Sequence, residues 1–444
     1  MDQNSSRYVE HLQGMVRIPT VSNPDSSKMD WAKFREFHEY LRTTWPLVHS
    51  KFTREVIGHA GLLYTWKGLD PTLEPLMLTA HQDVVPEGDA SLWKHPPYSA
   101  VVEDGCIWGR GTTDSKCNIQ AYMDALENLI AKGFTPKRGI LMGFGYNEEV
   151  MGGDVPAAQL IADELKARGV SLGMLIDECG GLEEVDGHIT ATLYTCEKGY
   201  ADYELSVTTE GGHSSTPPEH SGLGLVGYAA WELENHPMPF RLTEPVIAQL
   251  KALAPFFNDD RAKVYADPES HIAQLQELAQ ADKALNATLR TTAAVTMARG
   301  SAQANILPAV ATILTNCRLL PGDTPESVQA YIESVIPQGV DVRLVKGSTP
   351  PPVSSIESEG YRAIATTLEE LYPGITMIPS MLLGGTDARY YGDVSPSHSI
   401  YRFTGLLRND SWGGAHMTDE HIACDILAPN VDFFARLIQN FCGA

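Results

Sequence analysis

The sequence predicts an α/β protein of two domains, and three observations support this fold class. The chain has 444 residues, which is enough for a large core. This length exceeds that of a typical single domain, so we expect two domains. Up to residue 198, apolar runs of strand length alternate with helical patterns. Beyond residue 199 the order changes to strand-helix-strand-strand-helix-strand, which is typical of a small α+β sandwich.

The elements are arranged in chain order, with glycines and prolines marking the breaks between them. Before residue 199 the pattern predicts helices over 6–18, 30–44, 119–132 and 157–168, and strands over 52–56, 61–66, 76–80, 138–146 and 171–176. From 199 to 351 it predicts strands over 200–208, 293–297, 309–318 and 340–346, and helices over 223–235, 271–278 and 325–336. After a linker over 348–353 it predicts a helix over 358–371, a strand over 399–403 and a helix over 425–440. We therefore expect a discontinuous domain of residues 1–198 and 352–444, with residues 199–351 inserted as a second domain.

The composition is typical of a soluble globular protein. Hydrophobic residues make up 43% of the chain and charged residues 20%, and no apolar run reaches the roughly 18 residues of a membrane-spanning helix. The net charge of -23 argues against nucleic acid and anionic membrane as partners, because both are negatively charged. The seven cysteines are scattered without a CxxC pair, and the N-terminus lacks the basic and apolar regions of a signal peptide. We therefore expect free thiols and a cytoplasmic protein.

The stretch His81-Gln-Asp83 is the first candidate site. It comes directly after a predicted apolar strand, and side chains two residues apart lie on the same face of a strand. An imidazole that binds a metal commonly has a carboxylate behind it, which fixes its tautomer and orientation. An isolated histidine at a strand end is more often structural, so the prediction depends on the motifs downstream.

Acidic residues occur at three further places. Asp114 lies in a glycine-rich loop just before a predicted helix, where helix N-capping is the structural alternative. Glu148 and Glu149 come after a buried strand, and adjacent carboxylates are tolerated when a cation or a shared proton is present. Asp177 and Glu178 come after another strand. Ligands bind at the C-terminal edge of the strands in open α/β sheets, so we expect these acids to meet at one site.

A second candidate imidazole is that of His416, which lies in another glycine-containing loop near the C-terminus. Two histidines and three carboxylates form a mixed nitrogen and oxygen donor set that suits two Zn²⁺ ions per chain, with Co²⁺ or Mn²⁺ as substitutes. Two ions about 3.5–4 Å apart can share a hydroxide and polarise a carbonyl group. Glu148, beside the candidate ligand Glu149, would then be free to act as a general base.

The order of these motifs resembles the M20 family of metallopeptidases and aminoacylases, and the resemblance covers nearly the whole chain. The motifs that carry it are His81-Gln-Asp83, Gly109-Arg-Gly-Thr-Thr-Asp114, Asn147-Glu-Glu-Val-Met-Gly-Gly153, Asp177-Glu178, Gly211-Gly-His-Ser214 and His416. Within the family, Gly384-Gly-Thr-Asp-Ala-Arg-Tyr-Tyr391 and Ile400-Tyr-Arg-Phe403 look most like the carboxypeptidase S and N-acyl-amino-acid hydrolase branch. The resemblance implies a zinc-peptidase-like catalytic domain, a mixed sheet with helices on both faces, and an inserted α+β sandwich lid that often dimerises.

The resemblance also implies a role for each metal-site residue. His81 would bind one zinc, oriented by Asp83, and Asp114 would bridge the two ions. Glu149 and His416 would bind the second zinc, while Glu148 would act as general base and then as general acid. The fifth ligand would be Asp177 or Glu178, because strand alternation allows only one of them to point at the site. Ser115 departs from the family, which commonly has a second aspartate after the bridging one, often across a cis peptide bond.

Four further residues are implied in substrate binding or transition-state stabilisation. His213 matches a histidine that family dimers lend to the neighbouring active site, where it stabilises the oxyanion on the scissile carbonyl. Arg389 and Asn305 are candidates for holding a substrate carboxylate, which a guanidinium pairs with in a bidentate manner. Gly385 would let the substrate approach the backbone closely.

The favoured function is hydrolysis of a peptide or N-acyl amide bond next to a free carboxylate, by a carboxypeptidase, a dipeptidase or an N-acyl-amino-acid hydrolase. The alternative is a catalytically silent relative that binds metal or a partner through its lid, and the intact Glu148 argues against it. Serine hydrolase chemistry is not supported because the chain has no GxSxG elbow. Dehydrogenase chemistry would depend on Gly222-Leu-Gly-Leu-Val-Gly227 alone, which does not come directly after a strand.

Overall fold

The computed structural model describes residues 3–150, 152–408 and 413–443. It divides into two compact units, of which the first is Met1–Thr195, Ser354–Pro379 and Thr386–Ala444, and the second is Cys196–Val353 with Ser380–Gly385. The two main boundaries lie three and two residues from those predicted. The segment Ser380–Gly385 differs from the prediction, which assigned it to the discontinuous domain. It groups with the second unit because Met381 is buried among that unit's helices and the Leu382 carbonyl accepts a hydrogen bond from the Lys198 amide at 3.0 Å.

The helices carry good local signals for where they begin. Asp30 and Ser358, for example, each accept a backbone N–H of the first turn of the helix that they precede. No helix within the described ranges is long and apolar enough to cross a membrane. The helices are α1 (Gln3–Val16), α2 (Trp31–Thr44), α3 (Pro46–Lys51), α4 (Lys116–Ala131), α5 (Ala157–Ala167), α6 (Gly222–Asn235), α7 (Glu244–Leu253), α8 (Asp260–Ala266), α9 (Ile272–Ala281), α10 (Lys283–Thr288), α11 (Pro325–Val335), α12 (Glu359–Leu371) and α13 (Leu427–Cys442).

The strands form a mixed sheet in the first unit and an antiparallel sheet in the second, with two small sheets besides. Together with the helices they give the predicted α/β class. The strands are β1 (Thr53–Ile57), β2 (Gly61–Trp66), β3 (Leu76–His81), β4 (Val101–Glu103), β5 (Cys106–Trp108), β6 (Ile140–Gly145), β7 (Met174–Asp177), β8 (Gly181–Val185), β9 (His188–Glu197), β10 (Gly199–Thr208), β11 (Gly212–His213), β12 (Thr292–Arg299), β13 (Ile306–Leu307), β14 (Val310–Leu319), β15 (Asp341–Ser348), β16 (Thr376–Leu382), β17 (Ile400–Arg402), β18 (Leu407–Arg408) and β19 (His421–Ala423).

The large sheet of the first unit has the order β1-β2-β6-β3-β7-β17-β9-β8-β18, with β16 paired to β9. Its centre is parallel, because β6, β3, β7 and β17 all run in the same direction. The C-terminal ends of β3, β6 and β7 therefore meet at one edge. This edge is where ligands bind in parallel α/β sheets.

Helices cover both faces of this central region, so its strands are buried on both sides. Along β3, Leu76 and Leu78 pack in the core that contains α1, α4 and α13, while Met77 packs in the core that contains α5. The same alternation holds for β6, where Met142 and Leu141 face the two different cores. This two-sided burial explains the continuous apolar runs at these strands.

The second unit is built on the antiparallel sheet β12-β14-β10-β15. Alternate residues of β10, including Tyr203 and Leu205, are fully buried against α6 and α11. The strand-helix-strand-strand-helix-strand order predicted from the sequence therefore holds for β10, α6, β12, β14, α11 and β15. Helices α7 to α10 form an insertion with a core of their own, which includes Val246 and Leu275.

Candidate metal centre

His81 lies at the C-terminal end of β3 and is almost completely buried. Its Nδ1–H donates to the carbonyl oxygen of Asp83 at 2.9 Å, which leaves Nε2 facing two carboxylates. Nε2 is 2.9 Å from Oδ1 of Asp114 and 3.4 Å from Oε2 of Glu178. Burial lowers the pKa of His81, but Glu178, Asp114 and Asp83 outweigh it and hold the pKa well above the usual value. A metal bound at Nε2 would replace the proton that these carboxylates favour.

Asp114 lies between the two histidines. Its Oδ1 faces His81, and its Oδ2 is 3.2 Å from Nε2 of His416, which is also 2.7 Å from Oε2 of Glu149. Burial raises the pKa of Asp114, but hydrogen bonds from His416 and His81 outweigh it and lower the pKa. The peptide bond between Asp114 and Ser115 is cis, so the serine in place of the family's usual aspartate is compatible with that geometry. Each oxygen of Asp114 therefore faces a different group of ligand candidates, as a bridging carboxylate requires.

The Asp83 carboxylate is completely buried and holds the turn after β6. Its two oxygens accept the backbone N–H groups of Glu148 and Glu149 at 3.3 and 3.2 Å. Its Oδ1 is 3.6 Å from Nδ1 of His81, which is longer than the hydrogen bond from that nitrogen to the Asp83 carbonyl. The orientation of His81 therefore depends mainly on the Asp83 backbone, and the Asp83 side chain positions the two glutamates.

The candidate ligand atoms form two overlapping groups, in each of which all ligand atoms lie within 4.8 Å of one another. One group is His81, Asp114 and Glu149, and the other is His81, Glu148 and Glu178. Burial, the strongest cause, raises the pKa of Glu178 to about 7 and that of Glu148 well above its usual value. Carboxylates held together in this way are stabilised by a cation, and the mixed imidazole and carboxylate donors fit zinc.

The side chains of Asp177 and Glu178 point in different directions. Glu178 Oε2 approaches His81, whereas Asp177 Oδ2 accepts the backbone N–H of Ala388 at 2.7 Å. Asp177 is the last residue of β7, and successive side chains leave a strand on opposite faces. In this geometry Glu178 is the acid that lies beside His81, whereas Asp177 faces the Ala388 backbone, so Glu178 is the predicted fifth ligand that we carry forward.

The predicted substrate-binding residues belong to two separate stretches of the chain, one around Gly385 and Arg389 and the other around His213 and Asn305. Arg389 lies four residues after Gly385 in the chain, and its Nε donates to the Thr386 carbonyl at 2.7 Å. In the second unit, His213 and Asn305 are neighbours, because His213 pairs with Ile306 and the Asn305 carbonyl accepts the Ser214 N–H at 3.1 Å. The His213 side chain is exposed and its Nδ1 is 2.8 Å from the Ser215 hydroxyl. The structure thus brings His213 and Asn305 together on one small ladder.

Two buried acids near the centre, Glu420 and Asp387, were not assigned from the sequence. Glu420 forms an ion pair with Arg110 at 2.7 Å and also binds backbone N–H groups of the loop that carries Asp114. Asp387 is 4% exposed, and burial together with Asp177 raises its pKa well above the usual value. Glu420 lies four residues after His416 and Asp387 within the Gly384–Tyr391 motif, so proximity to a motif was the only signal in the sequence.

A mixed sheet with imidazoles and carboxylates at its strand ends is typical of a metal-dependent hydrolase. The family model described as Peptidase family M20/M25/M40 matches residues 77–440, and the chain therefore belongs to this family. N-fatty-acyl-amino acid synthase/hydrolase PM20D1.1 of Danio rerio is 34% identical over 99% of this chain and 86% of that protein. Carboxypeptidase S of Saccharomyces cerevisiae is 32% identical, over 95% of this chain and 81% of its own length. The M20 family metallo-carboxypeptidase Sso-CP2 from Sulfolobus solfataricus has the same fold, with a TM-score of 0.72, 18% identity and 99% of both chains covered.

Proposed function

We propose that this M20 hydrolase is a di-zinc amidohydrolase that cleaves a peptide or N-acyl amide bond next to a free carboxylate. The observation that carries the proposal is the position of Asp114, whose Oδ1 lies 2.9 Å from His81 and whose Oδ2 lies 3.2 Å from His416. His81 and Glu178 would hold one ion, and Glu149 and His416 the other. Zn²⁺ is the expected metal, with Co²⁺ or Mn²⁺ as substitutes.

When bound, the two ions supply Lewis acidity that activates a water molecule and polarises the scissile carbonyl. Glu148 would take a proton from that water on a carboxylate oxygen and pass it to the leaving amine nitrogen. Burial holds the pKa of Glu148 above its usual value in the metal-free site, and a bound cation would lower it again toward the range that suits a general base. Asp83 would keep Glu148 in place by accepting its backbone N–H.

The substrate class is inferred from relatives that resemble this chain over its full length. Their names specify N-acyl amino acids and C-terminal residues of peptides, and both kinds of substrate present a carboxylate next to the scissile amide. Arg389, Asn305 and Gly385 as carboxylate-binding and approach residues, and His213 as the donor to the oxyanion, remain predictions. A homodimer through the second unit, a cytoplasmic location and the absence of nucleic acid or membrane partners are further predictions.

The proposal is tested by metal analysis combined with a hydrolysis panel of dipeptides and N-acyl amino acids of increasing acyl length. We expect about two zinc ions per chain in the wild type and in Glu148→Gln, with turnover lost only in the variant. The control is Glu164→Gln, a partly exposed glutamate of α5 that pairs with Arg168, lies outside the site and should leave turnover unchanged. Two zinc ions without turnover on any substrate would favour the silent metal-binding alternative, and protein purified without chelators that contains no metal would refute the proposal.

A further inference from the structure

Glu420 is a buried carboxylate whose hydrogen bonds, among the described residues, come from one loop. Its Oε1 accepts the backbone N–H of Thr113 at 2.8 Å, the Thr113 hydroxyl at 2.8 Å and the backbone N–H of Asp114 at 3.3 Å. Its Oε2 accepts Nη1 of Arg110 at 2.7 Å and the backbone N–H of Gly111 at 3.0 Å. The side chain of Glu420 thus binds the loop that ends in Asp114 at several successive positions.

The same residue belongs to the loop that carries His416. Its own carbonyl accepts the Gly109 N–H at 2.8 Å, and Nη2 of Arg110 lies 3.5 Å from the His416 carbonyl. The next residue, His421, begins β19, which pairs with β5 just before Gly109. Glu420 therefore connects the two loops from which Asp114 and His416 approach each other.

His416 depends on this support because little else in the described chain covers it. Its side chain is 54% exposed, and its backbone has a φ of 65°, which is uncommon for a residue with a side chain. The loop is further held by Asp419, whose Oδ1 accepts the Lys94 N–H at 2.6 Å. An exposed imidazole reaches a fixed position only when its backbone is fixed, so the restraint has to come from the loop contacts.

The charge of Glu420 is balanced without a metal. Arg110 is 2% exposed, pairs with Glu420 directly and lies over the ring of Trp93 at 5.1 Å. A carboxylate that already has a guanidinium and several N–H and hydroxyl donors has no free lone pairs for an ion. Glu420 is thereby separated from the ligands, although it lies only four residues from one of them.

We propose that Glu420 is a positioning residue of the metal centre, which sets the distance between Asp114 and His416 and so the affinity of the second ion. The inference rests on the proposed function, because it concerns the ion that Glu149 and His416 would hold. Outer residues that orient ligands typically change metal affinity about 10–100-fold when they are replaced. We expect that loss at the second ion, with a smaller loss at the ion held by His81 and Glu178.

The test is a titration of metal-free protein with Co²⁺ alone, monitored by the visible absorption of the bound cobalt, and with Zn²⁺ by calorimetry. The variant Glu420→Gln keeps the shape but removes the charge and turns an amide N–H₂ toward N–H donors. Thr113→Val removes only one hydroxyl donor, leaves the buried ion pair intact and should shift the second affinity in the same direction by less. Because Thr113→Val retains all buried charges, it keeps the inference testable if Glu420→Gln does not fold.

The matched control is Asp124→Asn, which also removes the charge of a buried carboxylate in the first unit. Asp124 accepts Trp45 Nε1 at 2.9 Å and Gln120 Nε2 at 2.7 Å, and it contacts neither ligand-bearing loop. Weaker binding of the second ion in Glu420→Gln, with wild-type affinities in Asp124→Asn, would support the inference. Wild-type affinities in folded Glu420→Gln, or equal losses in both variants, would overturn it while the proposed function stands. A wild type that binds no second ion would instead refute the proposed function itself.

Discussion

Replacing Asp83 by asparagine should weaken both catalysis and metal binding, although no proposed ligand is changed. The Asp83 carboxylate accepts the N–H groups of Glu148 and Glu149 at 3.3 and 3.2 Å and is completely buried. Asparagine retains one acceptor oxygen and presents an amide N–H₂ to the other donor. One charge-assisted hydrogen bond is lost and one partly buried N–H loses its acceptor, which costs about 2–4 kcal/mol in the stability of this turn.

The turn carries the proposed general base Glu148 and the proposed ligand Glu149, so its loss of stability should affect both catalysis and metal binding. We expect kcat/KM on the best substrate of the panel to fall by about 10–100-fold, with weaker retention of the second ion on dialysis. The control Asp70→Asn removes the charge of an exposed aspartate that caps a turn through Thr72, and it should leave both quantities unchanged. Wild-type kinetics and metal content in Asp83→Asn would refute the claim that this side chain positions the glutamates.

Three further predictions concern metal binding and the pH dependence of stability. Adding Zn²⁺ to chelator-treated protein should raise the unfolding temperature by a few degrees, because ions at about 100 times their Kd stabilise the native state by about 2.7 kcal/mol; an unchanged calorimetric transition would contradict a native-state site. Glu178→Gln should weaken one ion at least about tenfold in equilibrium dialysis, whereas Asp177→Asn should keep both ions, and the reverse order would restore Asp177 as the ligand. Burial lowers the pKa of Lys198 from 10.5 to about 7 in the folded state, so the unfolded state binds the extra proton between these values. The contribution of Lys198 to the free energy of unfolding should therefore rise by up to about 5 kcal/mol as the pH rises through this window. The total rise should be smaller by that amount in Lys198→Met, where the buried Lys116, whose pKa is also lowered to about 7, still titrates.

The central strands of the large sheet were predictable from the sequence, whereas strand β9 and most of the short helices of the second unit were not. Strands β3 and β6 are buried on both faces and appear in the sequence as continuous apolar runs. Strand β9 was missed because the buried Thr190, Thr192 and Thr195 interrupt the continuous apolar run that is expected of a strand buried on both faces. Helices α7 to α10 were mostly missed because none of them exceeds ten residues, too few for a helical period to be decisive.

The candidate site was predictable to the extent that its residues lie at or just after strand ends. His81, Glu149 and Glu178 could be placed in this way, since the C-terminal ends of parallel strands meet at one edge of the sheet. The contribution of Glu420 was not predictable, because it depends on contacts with Arg110, which lies 310 positions away in the sequence. The carboxylate of Asp83 was expected behind His81, but its bonds to the turn after β6 require the three-dimensional structure.

The distribution of charge around the centre favours two ions over one. Asp83 and Glu420 are buried acids, but backbone N–H groups, and Arg110 in the case of Glu420, already compensate them. The remaining carboxylates of the cluster carry a charge of about -4 when they are all ionised, and they are those of Asp114, Glu148, Glu149 and Glu178. One divalent ion would balance half of this charge and leave the rest as repulsion in a buried site, whereas two divalent ions balance it. Charge balance and the two-sided geometry of Asp114 are independent arguments, and both favour a dinuclear centre.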